Sequence, residues 1–112
     1  MVSAAASNEV PRAQRGVVRH PPRRYGTSVH GAALNVFGPA AGPVDLLIMA
    51  AMHGDECEST VVLSEALRSV PQDRLATPVI LNANPDGTVL GTRANARGVD
   101  LNRNWPTRNW PA

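Results

Sequence analysis

The run Leu46-Leu47-Ile48-Met49-Ala50-Ala51-Met52 carries no charge and no polar residue, and it has the length of a strand rather than of a helix. Apolar residues without alternation predict a strand buried on both faces. Upstream, Leu34-Asn35-Val36-Phe37 alternates apolar with polar and predicts a half-buried strand, and Gly38-Pro39-Ala40-Ala41-Gly42-Pro43 supplies a loop between the two. The pair is expected to form an antiparallel hairpin. From Cys57 to Val70 the apolar residues Val61, Val62, Ala66, Leu67 and Val70 recur at three- and four-residue steps, with Glu58, Ser59, Glu65 and Arg68 on the other face. This predicts an amphipathic helix, stopped by Pro71. Val79-Ile80-Leu81-Asn82-Ala83 makes a further buried strand, so strand, helix and strand form a βαβ unit with parallel strands and a right-handed crossover.

Parallel strands end at the same edge of their sheet. The segments that leave those ends, His53-Gly54-Asp55-Glu56 and Asn84-Pro85-Asp86-Gly87, are therefore expected side by side, where open α/β sheets bind ligands. Beyond residue 84 neither a helical nor a strand period is evident. Gly87, Gly91, Gly98, Pro106 and Pro111 punctuate what is expected to be a long loop, which would carry Arg93, Arg97, Asn102 and Arg103 from the same edge.

Composition adds two restrictions. The chain has 112 residues, 43% of them hydrophobic, which suits one small globular domain or part of a larger one. Its formal charge of +2 conceals an asymmetry. Residues 1–24 hold Arg12, Arg15, Arg19, Arg23 and Arg24 against Glu9, whereas the rest has 6 arginines and 8 acids. Residues 1–24, with Pro11, Pro21 and Pro22, are expected to be a disordered basic leader in which His20 is solvated, ahead of a catalytic domain over 25–112. A nucleic-acid or membrane partner is not expected, and no apolar stretch has the ~18 residues of a membrane span. One cysteine allows no internal disulfide, and a cytoplasmic location is the default expectation.

The spacing His53-x-x-Glu56 suits a metal, since neutral imidazole and carboxylate oxygen are both zinc ligands. Structural roles compete with this. Asp55 and Glu58 match a capping box, Cys57 is expected to pack as a small buried hydrophobe, and His30 fits a turn beside Gly31. Asp86 and Asp100 are expected to hold turns or orient arginines, and Trp105 and Trp110 to pack under the loop.

Taken in order, His53-x-x-Glu56, Asn84-Pro85-Asp86-Gly87 and the run from Arg93 through Gly98-Val99-Asp100-Leu101-Asn102-Arg103-Asn104-Trp105 resemble the zinc carboxypeptidase superfamily, and within it the bacterial murein peptide amidases. Those enzymes cleave a γ-D-glutamyl to diaminopimelate bond in cell-wall tripeptides. The resemblance covers residues 25–112 and implies the N-terminal part of a mixed-sheet α/β fold. It implies His53 and Glu56 as zinc ligands, Arg93 (with Arg97 as the rival) as the oxyanion-stabilising residue, and Asn102 and Arg103 as a clamp on the free carboxylate of a small peptide substrate. It also implies a second zinc histidine and a general-base glutamate that fit no position here, so the 112 residues alone are expected to bind zinc poorly and to hydrolyse nothing. A second reading is the N-acyl amino acid hydrolases of the succinylglutamate desuccinylase and aspartoacylase group, which share an Asp-Leu-Asn-Arg element. A third is a non-catalytic fragment or binding module that kept the carboxylate clamp.

Overall fold

The computed structural model describes residues 9–108. Four short strands and two helices follow the order β1 (Arg23–Thr27), β2 (Ala33–Val36), β3 (Ile48–Met49), α1 (Glu58–Ser69), β4 (Val79–Ile80) and α2 (Pro85–Leu90). The βαβ unit is as expected, with β3 and β4 parallel in the register Ile48 to Val79 and Met49 to Ile80.

The expected hairpin is not formed. The antiparallel partner of β2 is β1, joined through the turn at Ser28–Ala32, and the chain beyond β2 meets β4 rather than β3. Phe37 and Val79 exchange both backbone hydrogen bonds, each 2.8 Å. The strands thus lie in the order β1, β2, β4, β3. The physical reason is the loop after Phe37, which is long enough to cross β4. At its start Gly38 has φ 121° and sits so close to the 77–78 backbone that a Cβ would come within 2.9 Å of the Thr77 carbonyl oxygen. With neighbours on both sides, β4 is the buried strand, and Val79 and Ile80 are both core residues. The run that looked buried on both faces has a strand neighbour on one side only among the described residues, and Leu46 keeps 60% of its surface exposed.

Helix α1 lies where the periodicity put it, and its expected apolar face is covered in part. Leu67 is 2% exposed, whereas Val62 is 67% exposed and Val61 is also on the open side. Polar side chains tie the first turn down instead. The Ala51 amide donates to Ser59 Oγ (3.4 Å), and Thr60 Oγ1 donates to the Leu81 carbonyl (2.8 Å). No capping box forms, since the N-cap is Cys57 with no side-chain cap, and Cys57 is exposed rather than buried.

The leader departs from expectation over its described part. Arg12–Gln14 form a 3-10 turn, β1 starts at Arg23, the Val10 amide donates to the Ser69 carbonyl (2.8 Å), and His20 is only 4% exposed. The imidazole Nε2 of His20 lies 2.8 Å from the Val70 carbonyl oxygen. A helix leaves its last carbonyls without internal partners, and this segment satisfies two at the end of α1. A ring donor at that negative end of the helix dipole is also favourable. The sequence of the leader alone could not disclose a partner 50 residues away.

Candidate metal and carboxylate site

Strand β3 runs out at Met49, and the chain turns at Ala51, which is buried and has φ 58°, the left-handed region that costs a residue with a Cβ about 1 kcal/mol or more. Two residues later stands His53. Its neighbour Gly54 is required by packing, because a Cβ there would lie 2.1 Å from the Gly87 carbonyl carbon. Gly87 is fixed in turn by Asn84 and Ala94, with a Cβ meeting Asn84 Nδ2 at 2.3 Å and the Ala94 carbonyl oxygen at 2.6 Å. The two parallel strands therefore deliver His53-Gly54 and Asn84-Pro85-Asp86-Gly87 into van der Waals contact, as the shared sheet edge implied.

The segment after β4 is a helix, α2, rather than open loop. Asn84 caps it by accepting from the Gly87 amide (3.0 Å), and Pro85 occupies the first turn, where no N–H is needed. The same Asn84 amide donates to the Met52 and Ala94 carbonyls, both at 3.1 Å, so one buried side chain joins the end of β3, the start of α2 and the loop beyond. Asp86 reaches the other way. It accepts from Ser28 Oγ (2.7 Å) and from the His30 amide (3.1 Å), tying the β1–β2 turn beside Gly31 to the site. The Ser28 hydrogen bond, outweighing burial and helped by the His30 amide and charge, holds the Asp86 carboxyl below the usual range.

On this frame His53, Glu56, Arg93 and Asp100 come together. His53 is largely buried, its side chain 10% exposed. Its Nε2 lies 2.9 Å from Asp100 Oδ1, and its Nδ1 lies 3.2 Å from Glu56 Oε2. Arg93 Nε donates to Asp100 Oδ2 (2.9 Å), and Arg93 Nη1 stands 3.8 Å from Glu56 Oε1. Desolvation, the largest single influence on Asp100, raises its pKa, but hydrogen bonds from His53, Arg93 and the Asn102 amide, with the Arg93 charge, together bring it to about 2. Asp100 is therefore an anion that accepts Nε2–H. In a neutral ring this leaves Nδ1 with a lone pair aimed at a carboxylate oxygen. Two electron-pair donors so placed need a cation between them, either a proton or a metal ion.

The donor set fits a metal in part. Donors about 2.0–2.1 Å from a tetrahedral zinc ion lie roughly 3.3 Å apart, close to the Nδ1 to Oε2 separation. A carboxylate on the far nitrogen of a metal-binding histidine is the usual way its tautomer and ring plane are fixed. Among the described residues no group of three or more His, Cys, Asp and Glu side chains is arranged around one point. His20 and His30 lie elsewhere, the first against the C-terminal end of α1 and the second in the β1–β2 turn.

The remaining expected residues line the rim. Arg97 is outside the cluster, beside a cavity of about 320 Å³ between the β1–β2 turn and α2, so Arg93 is the arginine that faces His53 and Glu56. Asn102 and Arg103 sit in a 3-10 turn (Leu101–Arg103) capped by Asp100, both exposed, and Arg103 Nη1 donates to the Asn102 carbonyl (2.9 Å). Trp105 is not packed under the loop. It is half exposed, and its indole N–H donates to Asn102 Oδ1 (3.1 Å), which turns the Asn102 amide donors toward solvent. Trp110 lies outside the described residues.

The family model of the succinylglutamate desuccinylase/aspartoacylase catalytic domain matches residues 43–110. The chain belongs to that family. It is 50% identical over 101 residues to murein peptide amidase A of Escherichia coli K12 and 50% identical over 103 residues to murein peptide amidase A of Vibrio campbellii. The alignments take in 89% and 90% of this chain but 42% and 41% of those relatives, so the chain spans less than half their length. The crystal structure of the murein-tripeptide amidase from Escherichia coli O157 superposes with a TM-score of 0.82 at 48% identity, covering 94% of this chain and 45% of that one. A metallo-carboxypeptidase from Burkholderia cenocepacia superposes with a TM-score of 0.59 at 25% identity, covering 83% and 30%. The matched model carries the name of the group offered as the second sequence reading, and the curated relatives carry the name of the first. Both are metallocarboxypeptidase-like, and the fold class expected from the sequence is the one found. Relatives named as metallopeptidases imply a metal for the family.

Proposed function

We propose that this chain provides the first metal ligands and the carboxylate clamp of a zinc-dependent amidase or carboxypeptidase that cuts a peptide or amide bond beside a free carboxylate in murein peptides. The observation that carries the proposal is the opposed pair His53 Nδ1 and Glu56 Oε2, locked by Asp100, in a chain half identical to murein peptide amidases. His53 and Glu56 hold the zinc, which when bound supplies Lewis acidity. Asp100 keeps the His53 ring in one tautomer and anchors Arg93, whose guanidinium stabilises the developing oxyanion. Asn102, with its donors turned outward, and Arg103 receive the substrate carboxylate, the guanidinium giving two parallel bonds. Two protein donors are fewer than the three of a catalytic zinc site, so zinc bound through His53 and Glu56 alone is held weakly. The single cysteine, exposed and unpaired, agrees with a cytoplasmic setting, and among the described residues no helix is long and apolar enough to cross a membrane.

The second reading, an N-acyl amino acid hydrolase, is favoured by the family model alone. The test is a chimera in which this chain replaces the segment of the Escherichia coli relative that it matches. On a γ-D-glutamyl-diaminopimelate tripeptide, Arg93→Ala should lower kcat by about 10²–10³, the range for loss of one oxyanion donor, and Arg103→Ala should chiefly raise KM. A chimera that cleaves N-succinylglutamate but not the tripeptide would favour the second reading. Full activity in Arg93→Ala, with loss in Arg97→Ala, would refute the choice of arginine.

A further inference from the structure

Hydrogen bonds leave the turn after Asp100 little freedom. Asp100 Oδ1 accepts from the Asn102 amide (3.0 Å) as well as from His53, and the Asp100 carbonyl accepts from Asn104 Nδ2 (2.8 Å). The Trp105 carbonyl accepts from the Thr107 amide (2.8 Å), and Pro106 restricts the Trp105 backbone further. On this base the Trp105 indole N–H donates to Asn102 Oδ1 (3.1 Å). An asparagine amide has nearly the same shape at its two branches and opposite character, an acceptor oxygen on one and a donor NH2 on the other, whereas an indole can only donate. The Trp105 N–H is therefore compatible with one orientation of Asn102, the oxygen toward the ring and the NH2 away from it. We propose that Trp105 is a positioning residue that sets the polarity of the Asn102 amide and thereby makes the pair Asn102 and Arg103 select a carboxylate over the uncharged carboxamide of the same shape.

The inference rests on the reading of Asn102 and Arg103 as the carboxylate clamp. Arg103 has only donors, so it cannot by itself turn away the oxygen of a carboxamide. Its Nη1 is also held back on the Asn102 carbonyl (2.9 Å), which fixes the guanidinium beside the same side chain. Asn102 is the member of the pair that can change character. Released from the indole, its amide can present either branch, and the oxygen would repel a carboxylate while accepting from a carboxamide NH2. With the indole N–H in place the pair offers donors alone, which a carboxylate, an acceptor at both oxygens, matches and a carboxamide only half matches. The bonds that fix this arrangement are all made by His53 and residues 100–107, so the selectivity is built into the turn.

The experiment is a nuclear magnetic resonance titration of the full 112-residue chain, labelled with nitrogen-15, with propionate and with propionamide. In the unaltered chain propionate should shift the Asn102 Nδ2 and Arg103 Nε resonances and bind more tightly than propionamide. Two variants remove the indole N–H: Trp105→Phe, and replacement of Trp105 by 3-benzothienylalanine, which puts sulfur in place of the N–H in a ring of the same shape. Each should cut the preference for propionate by about 5-fold, the factor that one net hydrogen bond contributes, with the backbone resonances of 100–104 in place. If Trp105→Phe displaces those resonances, the sulfur analogue decides. A preference unchanged in the sulfur analogue, with propionate still shifting Asn102, overturns the role of Trp105 and leaves the clamp standing. Propionate that shifts neither Asn102 nor Arg103 in the unaltered chain overturns the clamp, and the proposal with it.

Discussion

Replacing Asn84 by alanine should unfasten the site without touching a metal or substrate group. Three hydrogen bonds vanish with the side chain, from the Gly87 amide and to the Met52 and Ala94 carbonyls, at a position 3% exposed. A net hydrogen bond contributes about 1 kcal/mol, and an orphaned buried group costs about 1–3 kcal/mol. The expected loss is thus about 3–4 kcal/mol, a large part of the roughly 5–15 kcal/mol available to a small domain. Urea titration followed by far-UV circular dichroism measures it as a fall in midpoint at constant slope. Asn84→Asp separates the parts. It keeps an acceptor for the Gly87 amide but aims an anion at two carbonyl oxygens, and it should be no more stable than alanine. A loss under about 1 kcal/mol for alanine, or a well-tolerated aspartate, would refute the role assigned to Asn84.

Gly54→Ala forces a methyl group onto the Gly87 backbone and should cost about 2 kcal/mol or more, read as a shift in urea midpoint, whereas Gly16→Ala, where nothing lies nearby, should be near neutral. Asp86 has a folded pKa below its unfolded value, so its contribution is present above about pH 4 and is lost as pH falls through the folded value. Asp86→Asn should therefore flatten the decline of the urea midpoint on acidification below pH 4, and an unchanged decline would contradict this. His20→Ala leaves the Val70 carbonyl without its partner and should cost about 1–3 kcal/mol while also speeding tryptic cleavage after Arg12, Arg15 and Arg19.

The βαβ unit was legible because its parts are local: an uncharged run, a 3.6-residue period and a proline that ends it. Which strand lies at the centre was not legible, because Leu46–Met52 and Val79–Leu81 are both uninterrupted apolar runs and only the crossing loop decides. Helix α2 has six residues, too few to show a period, although Asn84 and Pro85 are a cap and a first-turn residue in hindsight. The anchoring of α1 was hidden for a different reason. Polar Ser59 and Thr60 anchor it, and an apolar count assigns such residues to the open face. At the site, the pairing of His53 with Glu56 could be read from their spacing. The grip of Asp100 on His53, across 47 residues, could not, since the turn-forming role of an aspartate before a 3-10 helix explains the same residue equally well.

The central claim is that His53 and Glu56 are poised to take a metal between them, with Asp100 fixing which nitrogen is offered. A zinc titration of the isotopically labelled chain, following the ring nitrogens of its three histidines by nuclear magnetic resonance, tests this even when binding is weak. The account predicts that zinc perturbs Nδ1 of His53 while Nε2 stays protonated toward Asp100, that His20 and His30 do not respond, and that Glu56→Gln weakens the response. Perturbation centred on His20 or His30, coordination through Nε2 of His53, or an equal response in Glu56→Gln would contradict it.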